Sequence, residues 1–209
     1  MSRIENGTRR LDARPIRDAL TDCRIGREII VLEETTSTND VVFDFAKRGA
    51  AEGLVVFAES QTTGRGQRGN RWISPARIGL WFSVLLRPRI QVADSTHLTS
   101  WLADRVATSI RIVTALDARV KPPNDVYLGE RKVAGVLVEM RALPESAHVA
   151  IAGVGINVNQ EVDDFPEEIR GRAASLAMCS GALIDRQTFA IGLLRDLDRT
   201  YAELFAKSR

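Results

Sequence analysis

Gly64-Arg65-Gly66-Gln67-Arg68-Gly69 is the stretch on which the fold turns, because it carries the literal spacing GxGxxG. In a dinucleotide-binding fold that spacing leads straight from a strand into a helix, with an acidic residue about 20 positions further on. Here Gly69 runs into Asn70-Arg71-Trp72-Ile73-Ser74-Pro75, which cannot open a good helix, and no acid stands near position 84. No Gly-Lys-Ser/Thr follows, which excludes a phosphate P-loop as well. The stretch therefore reads as a flexible loop whose glycines let backbone amides approach a ligand, with Arg65 and Arg68 supplying positive charge. Trp72 either closes over a bound molecule or anchors the loop to the core.

The surrounding charge makes an anionic ligand the natural candidate, with a solvated basic loop as the alternative. Between Ser60 and Asp94 there is no Asp, Glu or Lys, yet there are six arginines: Arg65, Arg68, Arg71, Arg77, Arg87 and Arg89. The planar guanidinium fork suits phosphate and carboxylate. The whole chain is nearly neutral at +2. Its 209 residues, 44% hydrophobic and 27% charged, are ordinary for one globular domain with at most a small appendage, so disorder and coiled coil are disfavoured. No apolar run is long enough for a membrane helix, and no secretion signal opens the chain, so a cytoplasmic protein without a membrane partner is expected. Cys23 and Cys179 form no CxxC pair, and a reducing compartment accounts for them.

Outward from the loop, periodicity predicts alternating elements. Helices are expected over 11–20, from a Ser37-Thr38-Asn39-Asp40 cap to Gly49, over 94–116 and over 185–206. Strands are expected over 28–33, 54–58, 79–86, 126–128, 132–140 and 148–158, with Gly129-Glu130 as a tight hairpin turn. This pattern predicts an α+β fold, a mixed, largely antiparallel sheet packed with helices.

Three further segments carry candidate chemistry. Lys132 projects from a strand end just after the hairpin turn. Lys121-Pro122-Pro123-Asn124-Asp125 sets two rigid φ angles before two polar side chains. Gly153-Val154-Gly155-Ile156-Asn157 puts small residues in a strand, where a ligand or another backbone commonly comes close. Taken singly, each also reads as an exposed lysine, a turn and a β-bulge.

Together and in this order, Ser37-Thr38-Asn39, Gln61, the loop from Gly64 to Trp72, Lys121 to Asp125, Arg131 to Glu139 and Gly155-Ile156-Asn157 resemble the catalytic domain of biotin protein ligases. The resemblance covers about residues 28–160. It implies the class II synthetase-like biotin/lipoate ligase fold, and a ligase that activates biotin with ATP and Mg²⁺ to biotinyl-5′-AMP. Transfer to a lysine of a biotin carboxyl carrier protein would follow. It further implies that Ser37, Thr38, Asn39, Gln61, Gly64, Arg65, Gly66, Gln67, Trp72 and Gly135 hold biotin. Arg68, Lys121, Asn124, Asp125, Lys132 and Asn157 would hold the nucleotide, Asn157 reading adenine, with Arg65 and Lys132 catalytic and no metal ligand assigned. These residue types suit such roles, because the ureido group needs short polar partners in an apolar slot, and charge building on phosphate needs cations and amides.

The chain also departs from the family pattern. Pro122 stands where a tryptophan is usual, and Gln67 and Asn70 stand at commonly basic loop positions. Residues 1–27 are expected to form a helical extension without a DNA-binding domain, and 28–209 the catalytic domain without the family's small C-terminal β-barrel. No DNA partner is expected, and a homodimer is the assembly considered. Within the same fold a lipoate ligase or lipoyl/octanoyl transferase is the alternative. Outside enzymes, the alternative is a non-catalytic biotin- or nucleotide-binding paralogue.

Overall fold

The computed structural model describes residues 9–143 and 146–205. In chain order its main elements are α1 (Ala13–Asp18), β1 (Glu28–Thr35), α2 (Thr38–Lys47), β2 (Leu54–Gln61), β3 (Leu80–Leu86), α3 (Ser95–Thr114), β4 (Ala118–Lys121), β5 (Asp125–Leu128), β6 (Arg131–Leu143), β7 (Ser146–Ile156), α4 (Leu176–Ser180) and α5 (Arg186–Leu204). One seven-stranded sheet runs in the order β1-β2-β3-β7-β6-β5-β4. Only β1 and β2 pair in parallel, since α2 crosses between them; the other pairs are antiparallel. The α+β sheet expected from the pattern is the one found.

Strand alternation sends successive side chains to opposite faces and so builds two cores. On one face Phe57, Phe82, Val84, Ala152 and Ile156 pack with Leu102, Val106, Leu193 and Leu197 of α3 and α5. On the other, Leu54, Val56, Leu85, Val149 and Ile151 pack under Val42 and Ala46 of α2. The second core is the smaller because α2 covers only part of that face. Past the N-terminus of α2 the sheet lies open, and the candidate site begins there.

The segment before β1 is bound to the body. Arg24 and Ile25 donate their amides to Asp198 Oδ1 at 2.8 and 2.7 Å, and Leu11 donates to Glu59 Oε1 at 2.6 Å. Glu59 is wholly buried and pairs with Arg186, whose Nη2 is 2.9 Å from Glu59 Oε2. Arg186 also donates to the carbonyls of Gly79 and Arg9 at 2.8 and 2.7 Å. One ion pair thus ties β2, α5 and the N-terminal segment together.

Several boundaries move. The strands predicted over 28–33, 54–58 and 148–158 extend or shift to Glu28–Thr35, Leu54–Gln61 and Ser146–Ile156, and the expected residue 206 of the last helix lies outside the described residues. The segment before Pro122, read as part of a turn, supplies strand β4 at the sheet edge. Ala118-Arg119-Val120-Lys121 alternates apolar and polar residues over only four positions, a strand signal too short to stand out beside the prolines, and pairing with β5 makes it a strand. The hairpin is as expected: Leu128 pairs with Arg131, leaving Gly129 and Glu130 as the loop, with Gly129 at φ +57. Among the described residues, no helix is long and apolar enough to cross a membrane.

Candidate active site

Three strands set the floor of the site by register. Trp81 of β3 lies beside Gly155 of β7, which lies beside Gly135 of β6; one step along, Ser83, Gly153 and Leu137 form the next row. Further along that face Leu85 and Ile151 are already covered by α2. The glycines leave room for two side chains. A Cβ on Gly153 would lie 2.4 Å from Asn39 Oδ1, and one on Gly155 would lie 2.5 Å from the Trp72 indole. The register runs unbroken through both, so these glycines mark close approach rather than a bulge. Gly155→Ala is accordingly expected to displace Trp72 and to cost about 1–3 kcal/mol of stability, as overpacked positions do. A urea unfolding midpoint equal to that of the unaltered protein would contradict the packing described.

The start of α2 supplies the polar wall. Ser37, Thr38 and Asn39 are each 4% exposed. Thr38 donates its amide to Gln61 Oε1 at 2.9 Å, and its hydroxyl meets Ser83 Oγ at 2.7 Å. Ser83 donates to Asn39 Oδ1 at 2.6 Å, and Asn39 Nδ2 donates to Glu139 Oε2 at 2.7 Å. Gln61 Nε2 donates to Ser74 Oγ at 2.9 Å. Ser83, Glu139 and Ser74 therefore orient the residues that the sequence singled out. Ser37 occupies the expected cap position of α2, though its side chain makes no cap bond. Asp40 is instead engaged by Arg65.

Arg65 grips Asp40 through both terminal nitrogens, at 2.6 and 2.7 Å, and reaches Glu139 at 3.3 Å. Its hydrogen bonds hold the Asp40 carboxyl below the usual range, and Asp40 in turn raises the Arg65 guanidinium further. The catalytic cation expected at the phosphate is thus held by two carboxylates, which an anionic ligand would have to displace. The Gly66 amide, expected as a donor to ligand, donates to Asn70 O at 2.7 Å, because the loop closes on itself. Trp72 donates its amide to Gly64 O at 2.8 Å and meets Trp81 edge-on at 6.2 Å, so it anchors the loop while its ring also lines the cavities described below. A Cβ on Gly64 would lie 2.6 Å from the Trp72 carbonyl oxygen, so close packing demands glycine there; Gly64, expected to hold biotin, is not among the residues that line either cavity.

Two adjoining cavities result, of about 250 and 340 Å³, and Trp72, Asp125, Tyr127 and Lys132 line both. Lys132 Nζ sits 2.7 Å from Asp125 Oδ1 and 5.1 Å from the centre of the Trp72 ring, so it is no free surface lysine. The first cavity also takes in Ser37, Thr38, Asn39, Gln61, Arg65, Gly66, Gln67 and Gly135, as expected for one ligand. Arg68, Lys121 and Asn124, expected beside the nucleotide, line this first cavity as well, and Asn124 Nδ2 donates to Val136 O at 3.2 Å. The second cavity holds Asn157 together with Gln160, Phe165 and Arg172, which no sequence motif marks. Close to Pro122, where the family usually has tryptophan, Tyr127 lines both cavities, with Lys121 Nζ 5.2 Å over its ring.

Residues 31–157 match the Biotin/lipoate A/B protein ligase family. The chain is 34% identical over 194 residues to the bifunctional ligase/repressor BirA of Bacillus spizizenii, covering 93% of this chain and 60% of that relative's length. It is 37% identical over 195 residues to the biotin--[acetyl-CoA-carboxylase] ligase of Mycobacterium tuberculosis, covering 90% and 70% of the two chains. The biotin protein ligase of Aquifex aeolicus, solved in complex with biotin and ATP, superposes with a TM-score of 0.72 at 33% identity, covering 87% of this chain and 73% of that one.

Proposed function

The chain belongs to the Biotin/lipoate A/B protein ligase family, and from that premise we propose that it joins biotin to ATP as biotinyl-5′-AMP, then biotinylates a lysine of a biotin carboxyl carrier protein. The observation that carries this reading is the pair of cavities meeting at Lys132. Biotin fits the first, whose short hydroxyls and amides suit a ureido group better than the dithiolane of lipoate. The nucleotide fits the second.

In the first step the biotin carboxylate oxygen bonds to the α-phosphorus as the bond to pyrophosphate breaks. Charge grows on the non-bridging oxygens at the junction, where Lys132 stands ready on a strand end. A cation fixed in advance stabilises that charge without reorganising. In the second step the carrier's lysine attacks the activated carbonyl and AMP leaves, so this chain need not supply the nucleophile. Magnesium enters as part of the substrate, bound to the triphosphate; among the described residues no three His, Cys, Asp or Glu side chains gather to hold a metal.

Exchange of labelled pyrophosphate into ATP tests the reading, since it must depend on biotin. Exchange driven by lipoate instead, or none at all, would overturn it. Likeness to a ligase/repressor lends no support to the expected absence of a DNA partner. A homodimer belongs to the proposal and is checked by sedimentation.

Gln67 lines the first cavity within the arginine loop. Gln67→Arg would add a charge-assisted bond to phosphate, of about 1.5–3 kcal/mol. Release of preformed adenylate, followed by stopped-flow chase, should slow by about 10- to 100-fold in that variant. Unchanged release would mean that position 67 does not touch the phosphate.

A further inference from the structure

Glu139 stands at one end of the row of hydrogen bonds that forms the polar wall of the first cavity. Its Oε2 accepts from Asn39 Nδ2 at 2.7 Å and from Arg65 Nη2 at 3.3 Å, and its Oε1 accepts from Arg141 Nη2 at 3.0 Å. A carboxylate facing two guanidiniums can only accept, so Asn39 must turn its Nδ2 toward it. Asn39 Oδ1 is thereby left to accept from Ser83, whose single hydroxyl hydrogen goes there at 2.6 Å. Ser83 then has only lone pairs to offer Thr38, so in their 2.7 Å contact Thr38 is the donor. The other partner of that hydroxyl, Gln61 Oε1 at 3.2 Å, is an acceptor too, since the Thr38 amide already donates to it. One carboxylate thus sets the direction of the row from Asn39 to Thr38, and the Thr38 hydrogen is committed to the protein. Thr38 lines the first cavity, and its hydroxyl has only lone pairs to present to a ligand there.

We propose that Glu139 is a positioning residue for ligand selection in the first cavity: through Asn39 and Ser83 it keeps the Thr38 hydroxyl an acceptor, so that the wall selects a ligand N–H and rejects an oxygen at that point. The inference deepens the reading of this cavity as the biotin site and rests on it, since the ureido group brings N–H donors. In Glu139→Gln the single carbonyl oxygen is contested by Arg65 and Arg141, and the amide nitrogen is free to turn to Asn39. The row can then run the other way, with Ser83 donating to Thr38.

Equilibrium binding of biotin and of its two cyclic carbamate analogues, each with one ureido N–H replaced by oxygen, tests this without requiring catalysis. The unaltered protein is expected to hold biotin about 10- to 100-fold more tightly than one of the two, because an oxygen set against lone pairs is repelled. In Glu139→Gln that preference should fall to within about threefold. General damage to the site, or displacement of Arg65, would weaken all three ligands alike and leave the preference standing, which would overturn the proposal. Ser83→Ala interrupts the row in its middle and should narrow the preference to a similar degree, with the double variant narrowing it no further. A preference unchanged in Ser83→Ala, or a further fall in the double variant, would overturn the row as the route. Should Glu139→Gln not fold, Ser83→Ala alone decides the matter. Equal binding of biotin and both analogues by the unaltered protein would overturn this inference alone, whereas failure to bind biotin would overturn the biotin assignment with it.

Discussion

Lys132→Ala is expected to lower biotin-dependent pyrophosphate exchange by about 10²- to 10³-fold, the scale seen when one preorganised charge-stabilising donor is removed. The backbone beneath the side chain is pinned from both sides. Lys132 donates its amide to Arg172 O at 2.8 Å, and its carbonyl accepts from Ala174 at 3.0 Å. The ammonium carries three hydrogens and forms an ion pair with Asp125 at 2.7 Å, which holds it where phosphate oxygens would lie at the junction of the cavities. Biotin affinity, measured by calorimetry, should change far less, because the polar wall from Ser37 to Asn39 is untouched. Exchange within a few-fold of the unaltered rate would remove Lys132 from the chemistry.

Arg186→Met should destabilise the protein by about 3–5 kcal/mol, the usual consequence of stripping one partner from a buried ion pair. Glu59 would be left at 0% exposure with only the Leu11 amide on its other oxygen, and the Gly79 and Arg9 carbonyls would lose their donor. Burial draws the Arg186 guanidinium below its ordinary value while Glu59 opposes the shift, as expected of a pair held together against desolvation. A second variant, Arg186→Met with Glu59→Leu, should recover part of the loss, since no lone charge remains inside. If urea denaturation showed the single variant within about 1 kcal/mol of the unaltered protein, the pair would not be the tie described.

What could be read from sequence followed from how local each signal was. The loop from Gly64 to Trp72, the hairpin at Gly129 and the α2 periodicity each lie within a few consecutive residues, and all three emerged where expected. Ser83, Ser74 and Glu139 were not legible as site residues. They come from strands and loops far apart in sequence, and only the register of β3, β7 and β6 brings them to Asn39 and Gln61. Asp40 reads as a capping residue in the sequence because its true partner, Arg65, lies 25 positions away.

The wall shared by the two cavities makes their occupancies thermodynamically inseparable. Trp72 and Lys132 line both cavities, so with biotin in one and the nucleotide in the other, as proposed, a restriction that one ligand placed on them would be felt by the other. By reciprocity, the factor by which bound biotin alters ATP affinity must equal the factor by which bound ATP alters biotin affinity. On the proposed assignment, any coupling between the substrates of the first step would run through the wall the cavities share, from Asn70 to Trp72 and from Asp125 and Tyr127 to Lys132.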